Sequence, residues 1–460
     1  MVHQYKSNGY NIIVDSNSGS VHSVDDVVYD IINLWEKEEK DHIKNIILKK
    51  YTSRKDVTSD EIDEVFDDIE ELIKDGKLFS DDIFEVVAKQ FKARQSVIKA
   101  VCLHVAHSCN LRCRYCFADE GAYKGSGKAI MSYETAVKAI EFLIANSGTR
   151  KNLEVDFFGG EPLLNWDVVK KTVEYGLVRG KECDKNFRFT LTTNGILLDD
   201  EVIEFSNKYM SNVVLSLDGR PEINDKMRLT PNGKGSYDLI VPGFKKLAES
   251  RNQNAYYIRG TYTGSNLDFF EDIIHMADMG FKELSMEPVV TDDNAVYAIK
   301  KENLPQIYEQ YEKLAIEMLA RKKNGNPFNF YHYNIDLNGG PCIVKRVSGC
   351  GVGTEYVAIT PDGDIYPCHQ FVGDDEYRLG NVDCGIQNEA IIDKFRNCNI
   401  YSHDECRNCF AKLFCSGGCS ANAYHMTGDI TGVYGLGCDL HRKRIECALM
   451  MKVAEADMDN

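Results

Sequence analysis

Cys109, Cys113 and Cys116 stand within eight residues of one another, in the run His107-Ser108-Cys109-Asn110-Leu111-Arg112-Cys113-Arg114-Tyr115-Cys116-Phe117. Thiolates at this density suit soft or borderline metals. A cubane iron–sulfur cluster is normally held by four cysteines, one to each iron. Three close thiolates with no obvious fourth nearby point to a cluster with one iron left open. That is the arrangement of a reaction centre rather than of an electron wire. A structural zinc site would use four closed ligands, often as paired Cys-x2-Cys knuckles, and ferredoxin runs have a different spacing. The plainer alternative is three unrelated buried thiols, since free cysteine packs as a small hydrophobe.

A second concentration of thiols lies near the end of the chain. Cys350 is followed by Gly363-x4-Cys368, by Cys406-x2-Cys409-x5-Cys415-x3-Cys419 and by Cys438, with Cys342 eight residues ahead of Cys350. Many glycines and few long periodic segments suggest a region organised by metal rather than by a large apolar core. Zinc at Cys406-x2-Cys409 is the alternative. Cys384, Cys398 and Cys447, and Cys102 and Cys183 earlier in the chain, fall outside any spacing and read as buried thiols with no ligand role.

The elements that must position these groups alternate between strand and helix. Ala100-Val101-Cys102-Leu103-His104-Val105 is an apolar strand running into the cysteine loop. Leu153 to Phe158 leads into Gly159-Gly160-Glu161-Pro162, Phe187 to Leu191 into Thr192-Thr193-Asn194, and Asn212 to Leu215 into Ser216-Leu217-Asp218. Tyr256 to Thr261 and Glu283 to Pro288 supply two further strands. Six such units predict a parallel sheet in a partial (β/α)6, TIM-like barrel over residues 98–310, with the polar motifs gathered at its C-terminal strand ends. A helical connector is expected over 311–341, starting with a helix from about Glu302 to Lys323, and a cysteine-rich domain over 342–460. Residues 1–80 form a separate small unit and 81–97 a linker. In that unit Tyr10 to Asp15 and Val21 to Val24 make a hairpin turning at Gly19. Asp25 can cap one helix, and Thr58-Ser59-Asp60-Glu61 is a capping box for another with an Ile62, Val65, Ile69, Leu72, Ile73 stripe. A hairpin followed by helices is compatible with a winged-helix fold; a plain cap over the barrel is the alternative.

Composition narrows the partners. The 460-residue chain is 43% hydrophobic and 27% charged, as a soluble globular protein is, and its net charge of −17 argues against a nucleic-acid surface. A local basic groove could still hold an acidic peptide. No secretory apolar region and no run of 18 apolar residues suggests export or a membrane span. Sixteen cysteines in such a chain indicate metal or catalysis in a reducing, cytoplasmic setting rather than disulfides.

The Cys109–Cys116 spacing and its aromatic neighbours resemble the radical S-adenosylmethionine (radical SAM) superfamily. The resemblance implies a 4Fe–4S cluster on Cys109, Cys113 and Cys116 whose open iron chelates the amino and carboxylate groups of SAM, and reductive cleavage of SAM to a 5′-deoxyadenosyl radical. Gly159, Gly160, Glu161 and Pro162 resemble the family's contact to the SAM ammonium, with glycines that let backbone approach the ligand. Thr192, Thr193, Asn194, Ser216 and Asp218 fall where ribose and methionine contacts lie. Arg228 resembles the partner of the SAM carboxylate, and Tyr115 and Phe117 would pack on adenine or shield the cluster; Glu287 is a further late-strand polar contact. The C-terminal cysteine order is similar to the SPASM domain. That likeness implies an outer 4Fe–4S cluster on Cys406, Cys409, Cys415 and Cys438 and an inner one on Cys350, Cys368 and Cys419, three clusters in all. The eighth auxiliary position goes to Cys342 or stays open for a substrate thiolate. As a whole the chain resembles peptide maturases, most of all those forming thioether crosslinks in cysteine-rich SCIFF precursors. There the N-terminal unit takes the leader peptide as an added strand, and flavodoxin or ferredoxin supplies electrons. Sulfatase-type cysteine oxidation, carbon–carbon crosslinking, a non-catalytic electron carrier and a zinc-organised binding protein are the competing readings.

Overall fold

The computed structural model describes residues 1–90, 97–125, 129–338 and 342–459. Residues 91–96 of the expected linker and 339–341 of the expected connector lie outside them. Six parallel strands run in sequence order across the centre: Ala100–Ala106, Asn152–Gly159, Asn186–Thr193, Met210–Ser216, Tyr256–Tyr262 and Glu283–Pro288. The sheet does not close on itself, so the wall is a partial barrel. Two-residue alternation decides its faces. Leu153, Val155 and Phe157, with Phe187, Phe189 and Leu191, are buried with Ala136, Ala139, Ile140 and Leu143 of helix Tyr133–Asn146 and Val169 and Val173 of helix Trp166–Glu182. Each apolar side chain so buried contributes about 1.5–3 kcal/mol. Asp156, Thr190 and Thr192 alternate with them, away from that core. A short seventh strand, Asn329–Phe330, pairs in parallel beyond Glu283–Pro288; two residues are too few to show a period in sequence.

The cysteine-rich region is joined to the barrel through backbone. Tyr356–Ile359 pairs in parallel with Ala100–Ala106, then Asp364–Tyr366, Gly380–Asn381 and Gly385–Ile386 follow antiparallel, which extends one sheet to eleven strands. The expectation of few long elements and little apolar core is corrected here. Helix Gly435–Asp459 spans 25 residues, and its Leu436, Leu440, Ala448, Leu449, Met450 and Met451 belong to the main core. It is buried on several sides, so it shows no single apolar stripe to read. It packs on helix Leu304–Lys323, close to the helix foreseen at 302–323. Of the thiols read as buried, Cys102, Cys398 and Cys447 are buried, but Cys384 is exposed on the turn before Gly385 and Cys183 is half-buried at the end of helix Trp166–Glu182.

The N-terminal unit is a three-stranded antiparallel sheet with three helices. The foreseen hairpin is present, turning at Gly19 with φ +78°, and Val2–Ser7 adds a strand that alternation alone did not single out. Asp25 accepts from the Val27 and Val28 amides to start helix Asp26–Leu34, helix Lys40–Lys50 follows, and Thr58 and Glu61 close a reciprocal box on helix Ser59–Lys74. Ile13 faces these helices, whereas Tyr5, Ile12 and Val14 face the main body. Tyr5 donates to the Glu446 carbonyl at 2.8 Å and His3 stacks on Phe410, 3.7 Å between ring centres. The unit is therefore seated on the last helix and beside Cys409.

Candidate active site

One cavity of about 580 Å³ lies at the C-terminal strand ends, between the barrel and the cysteine-rich region. Cys109, Cys113 and Cys116 line one side and Cys415, Cys419 and Cys438 another. Strand Ala100–Ala106 delivers the first loop, and a distant segment locks it. Arg112 and Cys113 pair antiparallel with Leu229 and Arg228, and the Arg114 amide donates to the Met227 carbonyl at 2.9 Å. This two-residue ribbon sets Arg228 beside Cys113. Burial pushes the Cys109 thiol up to about 11 and the Cys113 thiol up to about 12, the latter against the pull of Arg228. A bound cation is what would turn such desolvated thiols into thiolates.

The neighbouring strand end presses onto the loop. A Cβ on Gly159 would meet the Ala106 oxygen at 2.3 Å, and one on Gly160 the Ser108 oxygen at 2.2 Å. Gly160 and Glu161 amides donate to those same carbonyls at 2.8 and 2.9 Å. The glycines thus permit approach to the cysteine loop, and both also line the cavity where the sequence suggested approach to a ligand. Glu161 is buried in the cavity wall. Its Oε1 accepts from the Leu163 amide at 3.0 Å and Thr193 Oγ1 at 2.9 Å, and its Oε2 from the Asn194 amide at 2.8 Å. Burial nonetheless raises its carboxyl to about 7, against those donors. Asn194 also donates to Asn110 Oδ1 at 2.8 Å and reaches Cys109 Sγ at 3.6 Å. Pro162, Thr192 and Ser216 line the same wall, as do Tyr115 and Phe117.

Asp218 stands behind the wall rather than in it. It is fully buried and accepts from Arg228 Nη2 at 3.0 Å, Tyr115 Oη at 2.5 Å and the Thr261 amide at 2.8 Å. Its oxygens are engaged by protein, so it positions Arg228 and Tyr115. Arg228, 8% exposed, lines the cavity and keeps its Nε without a partner.

The remaining cysteines fall into groups. Cys406 is pushed up to about 12, by burial and then by Cys415, Cys438 and Cys409, so these four thiols are close neighbours. Cys368 and Cys419 are raised by burial and feel Cys350. Cys342 is exposed at the start of helix Ile343–Ser348. Among the described residues no three His, Cys, Asp or Glu side chains converge on a single-ion site. Tetrahedral zinc requires such convergence; a cubane spreads its thiolates over separate irons.

Arg259, His332, His441 and Arg444 are among the residues of the cavity region not singled out from sequence. Glu287 accepts from Arg444 Nη1 at 3.2 Å and faces His332 Nε2 at 3.5 Å. Burial would raise its carboxyl, but His332, Arg444 and Arg259 hold it down at about 2. Cys438, His441 and Arg444 recur every three residues on one helix face, a row that could have been noticed.

Comparison with known proteins follows the same division. A model described as the radical SAM superfamily matches residues 103–277, and one described as the iron–sulfur cluster-binding domain SPASM matches residues 350–410. The radical SAM cyclopropyl synthase TigE of Paramaledivibacter caminithermalis is 24% identical over 449 residues, 92% of this chain and 89% of TigE. A cysteine-type anaerobic sulfatase-maturating enzyme of Clostridium novyi is 25% identical over 336 residues, 68% of this chain and 86% of its own. The structure of native anSMEcpe with bound AdoMet and a peptide superposes with a TM-score of 0.63 at 19% identity, over 78% of this chain and 99% of that one. None of the described helices is long and apolar enough to cross a membrane.

Proposed function

We propose that this chain, a radical SAM enzyme with a SPASM domain, matures a ribosomally made precursor peptide by forming cysteine thioether crosslinks. The observation that carries the reading is the single cavity whose walls bear two separate sets of cysteines. Cys109, Cys113 and Cys116 would hold the cluster that binds SAM. Cys406, Cys409, Cys415 and Cys438 would hold an outer auxiliary cluster, and Cys350, Cys368 and Cys419 an inner one, giving three 4Fe–4S clusters. The soft, clustered donor set fits iron–sulfur chemistry. Arg228, with a buried Nε still free to donate, fits a carboxylate such as that of SAM, and the Glu161 carboxylate its ammonium.

With cofactors bound, the site would supply a 5′-deoxyadenosyl radical. The chain's own share is to hold SAM through Glu161, Arg228, Ser216 and Asn194, to fix Arg228 through Asp218, and to enclose the peptide between the two cysteine walls. In the balanced reaction one C–H and one S–H bond of the peptide break and one C–S bond forms. Bound SAM would supply the acceptor for that hydrogen atom and a bound auxiliary cluster the acceptor for the remaining electron, with the thiol proton passing to solvent. Cys342 would be the last ligand of the inner cluster, or that place would be left for the substrate thiolate. A donor such as flavodoxin or ferredoxin would return reducing equivalents.

The N-terminal unit would capture the leader peptide. Among the described residues Ser20–Val24 pairs only with Tyr10–Asp15, so its outer edge can accept an added strand. A winged-helix character is part of this proposal. TigE matches 92% of the chain and the sulfatase-type relative 68%, the larger share being what a match that includes an N-terminal unit would give. TigE also favours a second reading, a carbon–carbon bond in a peptide, and the C. novyi relative a third, cysteine oxidation in a sulfatase.

The test is anaerobic co-expression with a neighbouring small cysteine-rich reading frame, then tandem mass spectrometry. Loss of two hydrogens mapped to a cysteine–acceptor pair, with that thiol no longer alkylated, supports the thioether. The same mass loss with every thiol still alkylated assigns carbon–carbon chemistry instead.

A further inference from the structure

Away from the cysteine loop, the cavity wall carries charge that the proposed reaction does not use. Arg259 comes from strand Tyr256–Tyr262, Glu287 from Glu283–Pro288, and His441 and Arg444 from the last helix; all four line the cavity. Register places Arg259 beside Ser285 and Thr261 beside Glu287 on neighbouring strands. Arg444 is 7% exposed, donates from Nη1 to Glu287 and from Nη2 to His441 Nδ1 at 3.2 Å, and leaves Nε with no partner. Arg259 is exposed and lines the cavity; its guanidinium makes no hydrogen bond or ion pair among the described residues, though its charge acts on Glu287.

The balance of charge is uneven. At the cysteine end Arg228 is matched by Asp218. Here two guanidiniums face one carboxylate. His441 and His332 add no charge at neutral pH, because burial lowers them to about 4 and about 3. A buried guanidinium is ordinarily paired, and its fork matches a carboxylate in two parallel hydrogen bonds. One cation in excess on the wall of an open cavity is what an anionic ligand would complete.

We propose that Arg259 and Arg444 together bind a carboxylate of the substrate peptide, away from the cysteine loop in the same cavity. This rests on the reading of the chain as a peptide-modifying enzyme and narrows its substrate to a segment with an acidic group near the reacting residue. Glu287 keeps Arg444 oriented by its ion pair. The carboxylate belongs either to a side chain or to a chain terminus.

The experiment titrates reconstituted, SAM-loaded holoenzyme anaerobically with three seven-residue glycine–alanine peptides, each carrying one cysteine. One has a glutamate and an amidated terminus, one a glutamine and an amidated terminus, and one a glutamine and a free carboxyl terminus. A carboxylate-bearing peptide is expected to bind about tenfold more tightly than the uncharged one. The glutamate peptide doing so assigns a side chain, and the free-acid peptide doing so assigns a terminus. Either preference should vanish in Arg259→Gln, which removes no side-chain hydrogen bond or ion pair, and be partly restored in Arg259→Lys. Equal affinity of all three, or no binding of either acidic peptide, overturns the proposal. So does a loss of SAM affinity in Arg259→Gln with the peptide preference kept, which would give the guanidinium to the cofactor. Deoxyadenosine formation by the wild type is measured in parallel. Its absence sinks the enzymatic reading, whereas its presence without a carboxylate preference sinks this inference alone.

Discussion

The two sides of the cavity are built in opposite ways. The cysteine side comes from one loop and the strand end beside it, with its arginine neutralised from behind by Asp218. The far side is assembled from residues 259, 287, 332, 441 and 444, where two arginines share the one carboxylate of Glu287. Cofactor chemistry is fixed, so its pocket can be compact and internally satisfied. A site for a larger, separate substrate must draw on whichever elements surround the space, and it keeps a charge in reserve for the ligand. On the proposed function, the contrast would separate what holds the reagent from what selects the substrate.

Substitutions can break that contrast, and the largest effect falls on the cysteines. Replacing Cys109, Cys113 or Cys116 with alanine should reduce deoxyadenosine formation to background, read by chromatography, while Cys384→Ala should leave it intact. Asp218→Asn comes next. Removing one partner of a buried ion pair costs about 3–5 kcal/mol, so chemical denaturation should show that loss together with weakened SAM binding. Unchanged SAM affinity would remove Asp218 from the cofactor side.

Acid should strike the far side. His332 and His441 are depressed by burial to about 3 and about 4, below the unfolded value near 6.5. A depressed pKa contributes stability that is present above the unfolded value and lost as pH falls through the window from about 6.5 to 4. Each histidine accounts for on the order of 3 kcal/mol across that window. Thermal melts between those pH values should flatten in His441→Gln; an unchanged slope would contradict a neutral, buried His441. Gly160→Ala should act more gently, on the cysteine side. Its Cβ would sit 2.2 Å from the Ser108 oxygen, and relieving such crowding costs about 1–3 kcal/mol. Deoxyadenosine formation should fall more than the melting temperature does. Thr58→Ala, in the N-terminal unit, touches neither side and should cost about 1 kcal/mol through its lost cap with SAM cleavage unaltered.

Much of this was legible in the chain. Cysteine spacing, the polar motifs that end successive strands, the six strand–helix alternations and the caps at Asp25 and Thr58 are local signals, readable because the chemistry depends on short separations. Of the elements that escaped, two show the physical reason. Val2–Ser7 gains its value from Tyr10–Asp15 and the last helix, and helix Gly435–Asp459 is apolar on more than one side because it is covered on more than one side. The glycines at 159 and 160 were recognisable as special, but their neighbour was not: they yield to the Ala106 and Ser108 carbonyls.

The sequence by itself determined the cysteine inventory and its spacing, the strand–helix order and the superfamily it resembles, since each is a matter of residue type and separation along the chain. Only the tertiary structure decided that Cys113 is zipped to Arg228, that Asp218 serves from behind, and that Arg259 meets Arg444 across one cavity. Cys113 and Arg228, Tyr115 and Asp218, and Arg259 and Arg444 are each over a hundred residues apart. Burial and charge balance are properties of the enclosed space, and no segment carries them alone.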